Sequence, residues 1–293
     1  MSTAFVFPGQ GSQSVGMGKE LAEKYLEQAN AVLGFDLKTL VLEGPEDVLK
    51  RTEIQQPAIF TVSVAMVEWL RTHNSELITH LAAVAGHSLG EYSALYAAGV
   101  ISFEDGVKTV NLRGKFMQEA VPAGEGAMAA LLGGDRETIA NICKEVGNVW
   151  PANFNSPGQV VISGTKEAVE TAAVKLKAAG VKKIIPLAVS APFHCPLMQP
   201  AADKLAAQLD KITFHDATVP VYANVTAAPV TSGTEIKQLL IKQVTAPVLW
   251  EDLIKNLIAG GSRNFVEVGP GKVLAGLIKK IDPTVEVKSF LET

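Results

Sequence analysis

The amino-acid sequence predicts an α/β protein in which a small antiparallel unit interrupts a larger parallel sheet. Three observations predict it. Short apolar runs alternate with helical patterns over most of the chain, the order that builds a parallel sheet covered by helices. One run, Leu81 to Ala85, passes through Gly86-His87-Ser88-Leu89-Gly90 into a helical pattern at Leu89, Tyr92, Ser93 and Tyr96, which reads as strand, sharp turn and helix. From Ala127 to Leu187 the rhythm becomes β-α-β-β-α-β, the order of a ferredoxin-like unit.

In order, the expected elements begin with a strand over Ala4 to Phe7, which enters the glycine-rich loop Pro8-Gly9-Gln10-Gly11-Ser12-Gln13. That loop lacks the spacing of a dinucleotide fingerprint or a Walker loop, but its N–H groups could face an anion. Helices are expected over Gly18 to Leu33 and Pro57 to Arg71, the second opening on a proline. After the glycine-flanked turn, Phe103 to Val121 carries Val107, Val110, Gly114, Met117 and Val121 at helical spacing. Within the inserted unit the expected strands are Ala127 to Leu132, Val149 to Asn153, Gln159 to Gly164 and Lys183 to Leu187. Its helices are Arg136 to Val146 and Glu167 to Ala179. Hinges are expected at Ala123-Gly124 and Ser190-Ala191, a place where clefts form. Beyond them come helices over Pro200 to Leu209, Ile236 to Gln243 and Trp250 to Ile258, strands over Thr218 to Ala223 and Phe265 to Val268, and a last helix ending near Ile281.

With 293 residues, 47% of them hydrophobic, the chain can bury a large core. A formal net charge of −4 without a basic stripe argues against nucleic-acid binding. No apolar run is long enough to span a bilayer and no leader pattern opens the chain, so a soluble, cytoplasmic protein is expected. Cys143 and Cys195 lie in unlike contexts, which favours neither a disulfide framework nor a zinc site, and no metal or bound cofactor is expected. With no sustained heptad or evident apolar stripe, a monomer is expected. Lys182-Lys183 and Lys279-Lys280 could dock an acidic partner, although such pairs are commonly solvated faces.

Ser88 is the candidate nucleophile, because flanking glycines permit a cramped turn that exposes its hydroxyl, frees the Leu89 N–H for an oxyanion and aims a helix N-terminus at the site. A serine that merely caps the helix is the bland alternative. Among five histidines, His194 sits in a proline-stiffened loop after the hinge and is the best-placed base; a structural loop histidine is the other reading. Cys195 reads as a buried thiol. Arg113 leaves its helix from the apolar stripe, where it must snorkel to water or find a carboxylate; spacing favours snorkelling.

Taken together, Phe7-Pro-Gly-Gln-Gly-Ser-Gln13, Gly86-His-Ser-Leu-Gly-Glu-Tyr-Ser93, Arg113-Gly-Lys-Phe-Met-Gln118, Asn153-Phe-Asn-Ser-Pro-Gly-Gln159 and Glu267-Val-Gly-Pro-Gly271 resemble the malonyl-CoA:acyl-carrier-protein transacylase family over essentially the whole chain. The resemblance implies an α/β-hydrolase-like core over residues 1–122 and 191–293, with a ferredoxin-like subdomain inserted over 123–190. It implies a ping-pong transfer of the malonyl group from malonyl-CoA to acyl carrier protein through a malonyl-serine ester, in free-standing fatty-acid synthesis. Ser88 would be nucleophile, His194 base, and the N–H groups of Gln10 and Leu89 the oxyanion hole. Arg113 would hold the malonyl carboxylate, which replaces the snorkelling reading. Met117, Asn155 and Phe193 would line the pocket, and the backbone carbonyl at Gln243 would orient the histidine. A serine hydrolase or thioesterase on the same turn, a discrete acyltransferase of polyketide synthesis and a non-catalytic carrier-docking protein are the alternatives.

Overall fold

A computed structural model of the chain describes residues 2–189 and 191–290. Strand β1 (Ser2–Phe7) is buried on both faces from Thr3 onward, as a central parallel strand must be. Turns over residues 15–22 lead into helix α1 (Glu23–Leu33), which ends on Gly34 in left-handed backbone. Helices α2 (Leu37–Leu42) and α3 (Glu46–Leu49) follow, α2 opened by the Asp36 carboxylate accepting the Thr39 N–H. Next come α4 (Thr52–His73), α5 (Ser75–Thr79), β2 (Leu81–Gly86), α6 (Gly90–Ala97) and α7 (Phe103–Glu119). The interrupting unit runs β3 (Gly126–Leu132), α8 (Arg136–Val146), β4 (Val149–Ser156), β5 (Gln159–Thr165), α9 (Lys166–Ala178) and β6 (Lys183–Pro186). A short turn at Pro196–Met198 then precedes α10 (Gln199–Leu209), β7 (Val221–Tyr222), β8 (Pro229–Val230), α11 (Gly233–Gln243), α12 (Trp250–Ala259), β9 (Ser262–Glu267), α13 (Val273–Ile281) and β10 (Glu286–Ser289).

The larger sheet has the order β10-β9-β1-β2-β7-β8 and is parallel except for the β7–β8 pair. Alternation along β1 divides the core: Phe5 and Phe7 pack with α1, α4 and α7, whereas Ala4 and Val6 pack with α12 and α13. The smaller sheet, order β4-β5-β3-β6, is antiparallel throughout. Ala129, Leu131, Val160 and Ile162 on one face cover Ile139, Cys143, Val169 and Leu176 of α8 and α9, while Met128 and Val161 on the other join the main core. The smaller sheet and its helix α8 are tied to α12 and the loop before it. The Phe154 N–H donates to the Val248 carbonyl and the Val248 N–H to that of Ala152, both at 2.9 Å, and Arg136 grips Asp252 with two bonds of 2.7 and 2.8 Å.

Several boundaries differ from expectation. Helix α4 begins five residues before Pro57. The proline cannot bond the Glu53 carbonyl, and the Asn111 amide of α7 donates to that oxygen instead at 2.7 Å. A partner from a neighbouring helix thus allows a proline where the chain alone would start a new element. Residues 18–22 are turns rather than helix, and the expected strand over 218–223 shrinks to Val221–Tyr222. Strand β4 extends to Ser156 because Pro157-Gly158 makes a two-residue hairpin turn with Gly158 at φ 70°, so Asn155 rides on a strand. Elements α2, α3, α5, β8 and β10 were not expected. Ala123-Gly124 lies in the turn between α7 and β3; Ser190, of the second expected hinge, lies outside the described residues.

Candidate active site

The site lies at the C-terminal ends of β1 and β2, where open parallel sheets gather ligands. Residues 86–90 form the tight turn between β2 and α6. A Cβ on Gly86 would lie 1.9 Å from the Gly90 carbonyl carbon, and one on Gly90 would lie 2.1 Å from the Phe7 carbonyl oxygen. Only glycine fits at either end. Ser88 between them adopts φ 52°, a left-handed conformation that costs a side-chain-bearing residue about 1–3 kcal/mol. Asn224, in the loop after β7, offsets that strain from both sides: its Oδ1 accepts the Ser88 N–H at 2.7 Å and its Nδ2 donates to the Gly86 carbonyl at 2.6 Å.

His194 reaches the same point from the loop after β6 and is also left-handed, at φ 58°. Its Nδ1 lies 2.9 Å from the Gln243 carbonyl, which can only accept, so Nδ1 carries the proton. The free lone pair is therefore on Nε2, and the Ser88 hydroxyl donates to it at 2.7 Å. Burial, followed by the nearby Arg113 cation, pulls the His194 pKa down to about 3, so the ring is a neutral acceptor across the physiological range.

Arg113 departs from what its spacing favours. The side chain does not snorkel: it is 2% exposed and its guanidinium lies inside the site. Nη1 donates to Gln56 Oε1 at 2.8 Å, and Nη2 to Ser88 Oγ at 3.1 Å and Gln243 Oε1 at 3.0 Å. Its Nε–H is buried and finds no hydrogen-bond acceptor among the described residues. All three acceptors are neutral, so the buried cation meets no carboxylate directly, and an anion entering here would find a guanidinium with an unused donor.

Gln243, at the end of α11, joins these parts. While its carbonyl fixes His194, its side-chain Nε2 donates to the Ser88 carbonyl at 3.0 Å and to Glu91 Oε2 at 2.8 Å. Glu91, on α6, also accepts the Asn224 N–H at 3.1 Å.

Other expected residues fall around this centre. His87 points away from Ser88: its Nε2 donates to Asn155 Oδ1 at 2.8 Å and its ring lies 5.5 Å from that of Trp250. Asn155 thus braces the neighbour of the nucleophile. Met117 and Phe193 are buried in the main core, and Gln10 is exposed on the loop after β1. That loop is held to the turn by the His87 N–H, which donates to the Phe7 carbonyl at 3.0 Å. His73, His80 and His215 are exposed, and Cys195 is buried with its thiol donating to the Pro192 carbonyl at 3.1 Å. Gln56, Glu91 and Asn224 were missed. Glu91 alone gave a signal, a carboxylate beside an almost wholly apolar helical run.

Residues 4–289 match the model of the acyl transferase domain family. The malonyl CoA-acyl carrier protein transacylase of Escherichia coli is 50% identical, over 99% of this chain and 96% of its own length. The chain belongs to the malonyl CoA-acyl carrier protein transacylase family. Solved relatives of this family superpose closely. The acyl carrier protein S-malonyltransferase of Vibrio cholerae gives a TM-score of 0.94 at 46% identity, covering 99% of this chain and 96% of that one. A malonyl-transacylase in complex with its type II PKS acyl-carrier protein gives 0.95 at 46% identity, covering 100% and 97%.

Proposed function

We propose that the chain transfers the malonyl group of malonyl-CoA to the phosphopantetheine thiol of an acyl carrier protein, by way of an ester on Ser88. The observation that carries this reading is the buried Arg113 guanidinium, bonded to Ser88 Oγ and holding an unused Nε–H. It suits an acyl group that ends in a carboxylate.

In the first half-reaction His194 Nε2 takes the Ser88 proton as Oγ attacks the thioester carbon. The Ser88 N–H is held by Asn224, so the donor that the turn offers to the oxyanion is the Leu89 N–H, with that of Gln10 from the adjoining loop. Arg113 holds the malonyl carboxylate, while Met117, Phe193 and Asn155 bound the pocket. His194 then returns the proton to the departing CoA thiol. In the second half-reaction the carrier's thiol gives its proton to His194 and attacks the ester, releasing Ser88. The Gln243 carbonyl keeps the histidine in one tautomer throughout, the part a carboxylate plays in a Ser-His-Asp triad. No metal or bound cofactor enters these steps.

We read residues 123–190 as a ferredoxin-like subdomain inserted into an α/β-hydrolase-like core formed by 1–122 and 191–293. The strand order β4-β5-β3-β6 with two helices on one face supports it. We place the protein in the cytoplasm, serving the free carrier protein of fatty-acid synthesis; no helix among the described residues is long and apolar enough to cross a membrane. Mixing the protein with malonyl-CoA and a holo carrier protein, and weighing the carrier, tests the transfer. A malonyl-carrier is expected; free malonate with an unmodified carrier would make the protein a hydrolase.

A further inference from the structure

Arg113 is a buried cation whose hydrogen-bond acceptors are three neutral groups, with the Tyr92 ring 5.7 Å from its guanidinium carbon, yet burying a charge without a counter-charge is costly. Glu91 is the carboxylate tied most closely to it. It is 2% exposed, and the single amide of Gln243 spans the two: Oε1 accepts from Arg113 and Nε2 donates to Glu91. The other titratable groups of the site are Tyr92, beside Glu91 on its own helix, His87 on the turn and His194 on the opposite loop. Burial favours the neutral form of each. Among the described residues Arg113 is thus the one cation in this cluster and Glu91 the one group placed to carry the balancing charge. No step of the transfer described above uses Glu91.

Resting on the functional reading given above, we propose that Glu91 is the internal counter-ion of Arg113 in the acyl-free protein. An arriving malonyl carboxylate takes over that role, and malonylation of Ser88 is then accompanied by uptake of a proton at Glu91. The balance is simple. Ester formation exchanges the Ser88 proton for the CoA thiol proton and consumes none, so any proton taken from solvent goes to a group in the protein. Two carboxylates flanking one guanidinium repel each other, and the one that can be neutralised is Glu91. Burial already pushes its pKa up to about 7, against the pull of its bonds from Gln243 and Asn224 and, last, of the Arg113 cation, so a second negative charge nearby carries it through the working range. Glu91 thereby acts as a specificity residue. It balances Arg113 when an acetyl group is bound, and yields to a group that brings its own carboxylate.

The test measures proton uptake with a pH indicator in weak buffer near about pH 8, as stoichiometric malonyl-CoA is added, with intact mass confirming acylation. Roughly half a proton or more per malonyl group is expected, given a like charge a few ångströms away at an effective dielectric near 20. Acetyl-CoA, to the extent that it acylates, should give none. Glu91→Gln can keep both accepted bonds through its amide oxygen while losing the titration, and should malonylate without uptake. Uptake should also fade in the unsubstituted protein below about pH 6, where Glu91 is already protonated; this arm holds even if the variant does not fold. Full malonylation without uptake, or equal uptake in Glu91→Gln, overturns the proposal. Absence of a malonyl adduct removes the functional reading, and this proposal with it.

Discussion

Replacing Arg113 by alanine separates two contributions that the geometry places on one side chain. The guanidinium touches Ser88 Oγ at 3.1 Å, so its loss alters the nucleophile for every acyl donor alike. A hydrogen bond to a charged group contributes about 1.5–3 kcal/mol, and this part of the loss is common to malonyl-CoA and acetyl-CoA. Only malonyl-CoA also loses its carboxylate partner. Truncating one side of a buried, hydrogen-bonded charge pair costs about 2–5 kcal/mol, or, at about 1.4 kcal/mol per tenfold, some thirtyfold to several thousandfold. The ratio of malonyl to acetyl transfer should therefore fall by at least about thirtyfold, whatever happens to the two rates separately. The assay is the initial rate of acyl-enzyme formation by intact mass, with thermal unfolding as a control because Gln56 and Gln243 each lose a donor. Equal losses for both donors would make Arg113 a support for Ser88 and refute its role as selector.

Asn224→Ala removes the bond to the Ser88 N–H and strands the Gly86 carbonyl, so acylation should slow for both donors with their ratio unchanged, and stability should drop by about 1–3 kcal/mol in chemical denaturation. In Glu91→Gln, which lacks the Glu91 titration, the pH profile of Ser88 acylation should stay flat from about pH 7 to 5, where an ordinary histidine would lose about thirtyfold, because His194 protonates only near 3. An inflection near 6.5 in that variant would contradict this. Glu91 has a folded-state pKa raised from 4.5 to about 7, so its contribution to stability is complete below the lower value and is lost as pH rises through the upper one. Relative to Glu91→Gln, the unsubstituted protein should lose on the order of 3 kcal/mol between those limits, read from denaturation midpoints across the range.

Local patterns were legible where a single segment decides its own conformation. Alternation and turn residues placed β3, α8 and β5 to within a residue, and the glycine spacing placed the Ser88 turn. Arg113 was not legible from its helix, because a buried guanidinium needs partners that come from residues 56, 88 and 243. The same holds for Pro57, tolerated inside α4 because Asn111 of another helix bonds the carbonyl it abandons. Asn224 belongs to a loop without periodicity and gains its role only from lying beside the turn. His194 could be favoured from its stiff loop, but the group that fixes its tautomer is a backbone carbonyl, which any residue at position 243 would supply.

The central claim is that Ser88 carries the malonyl group. Incubating the protein with malonyl-CoA alone and mapping the acylated peptide by mass tests it most directly. One malonyl group on the peptide containing Ser88, absent from Ser88→Ala with its fold retained, is the predicted result. A malonyl group on any other residue, or undiminished labelling of Ser88→Ala, would contradict it.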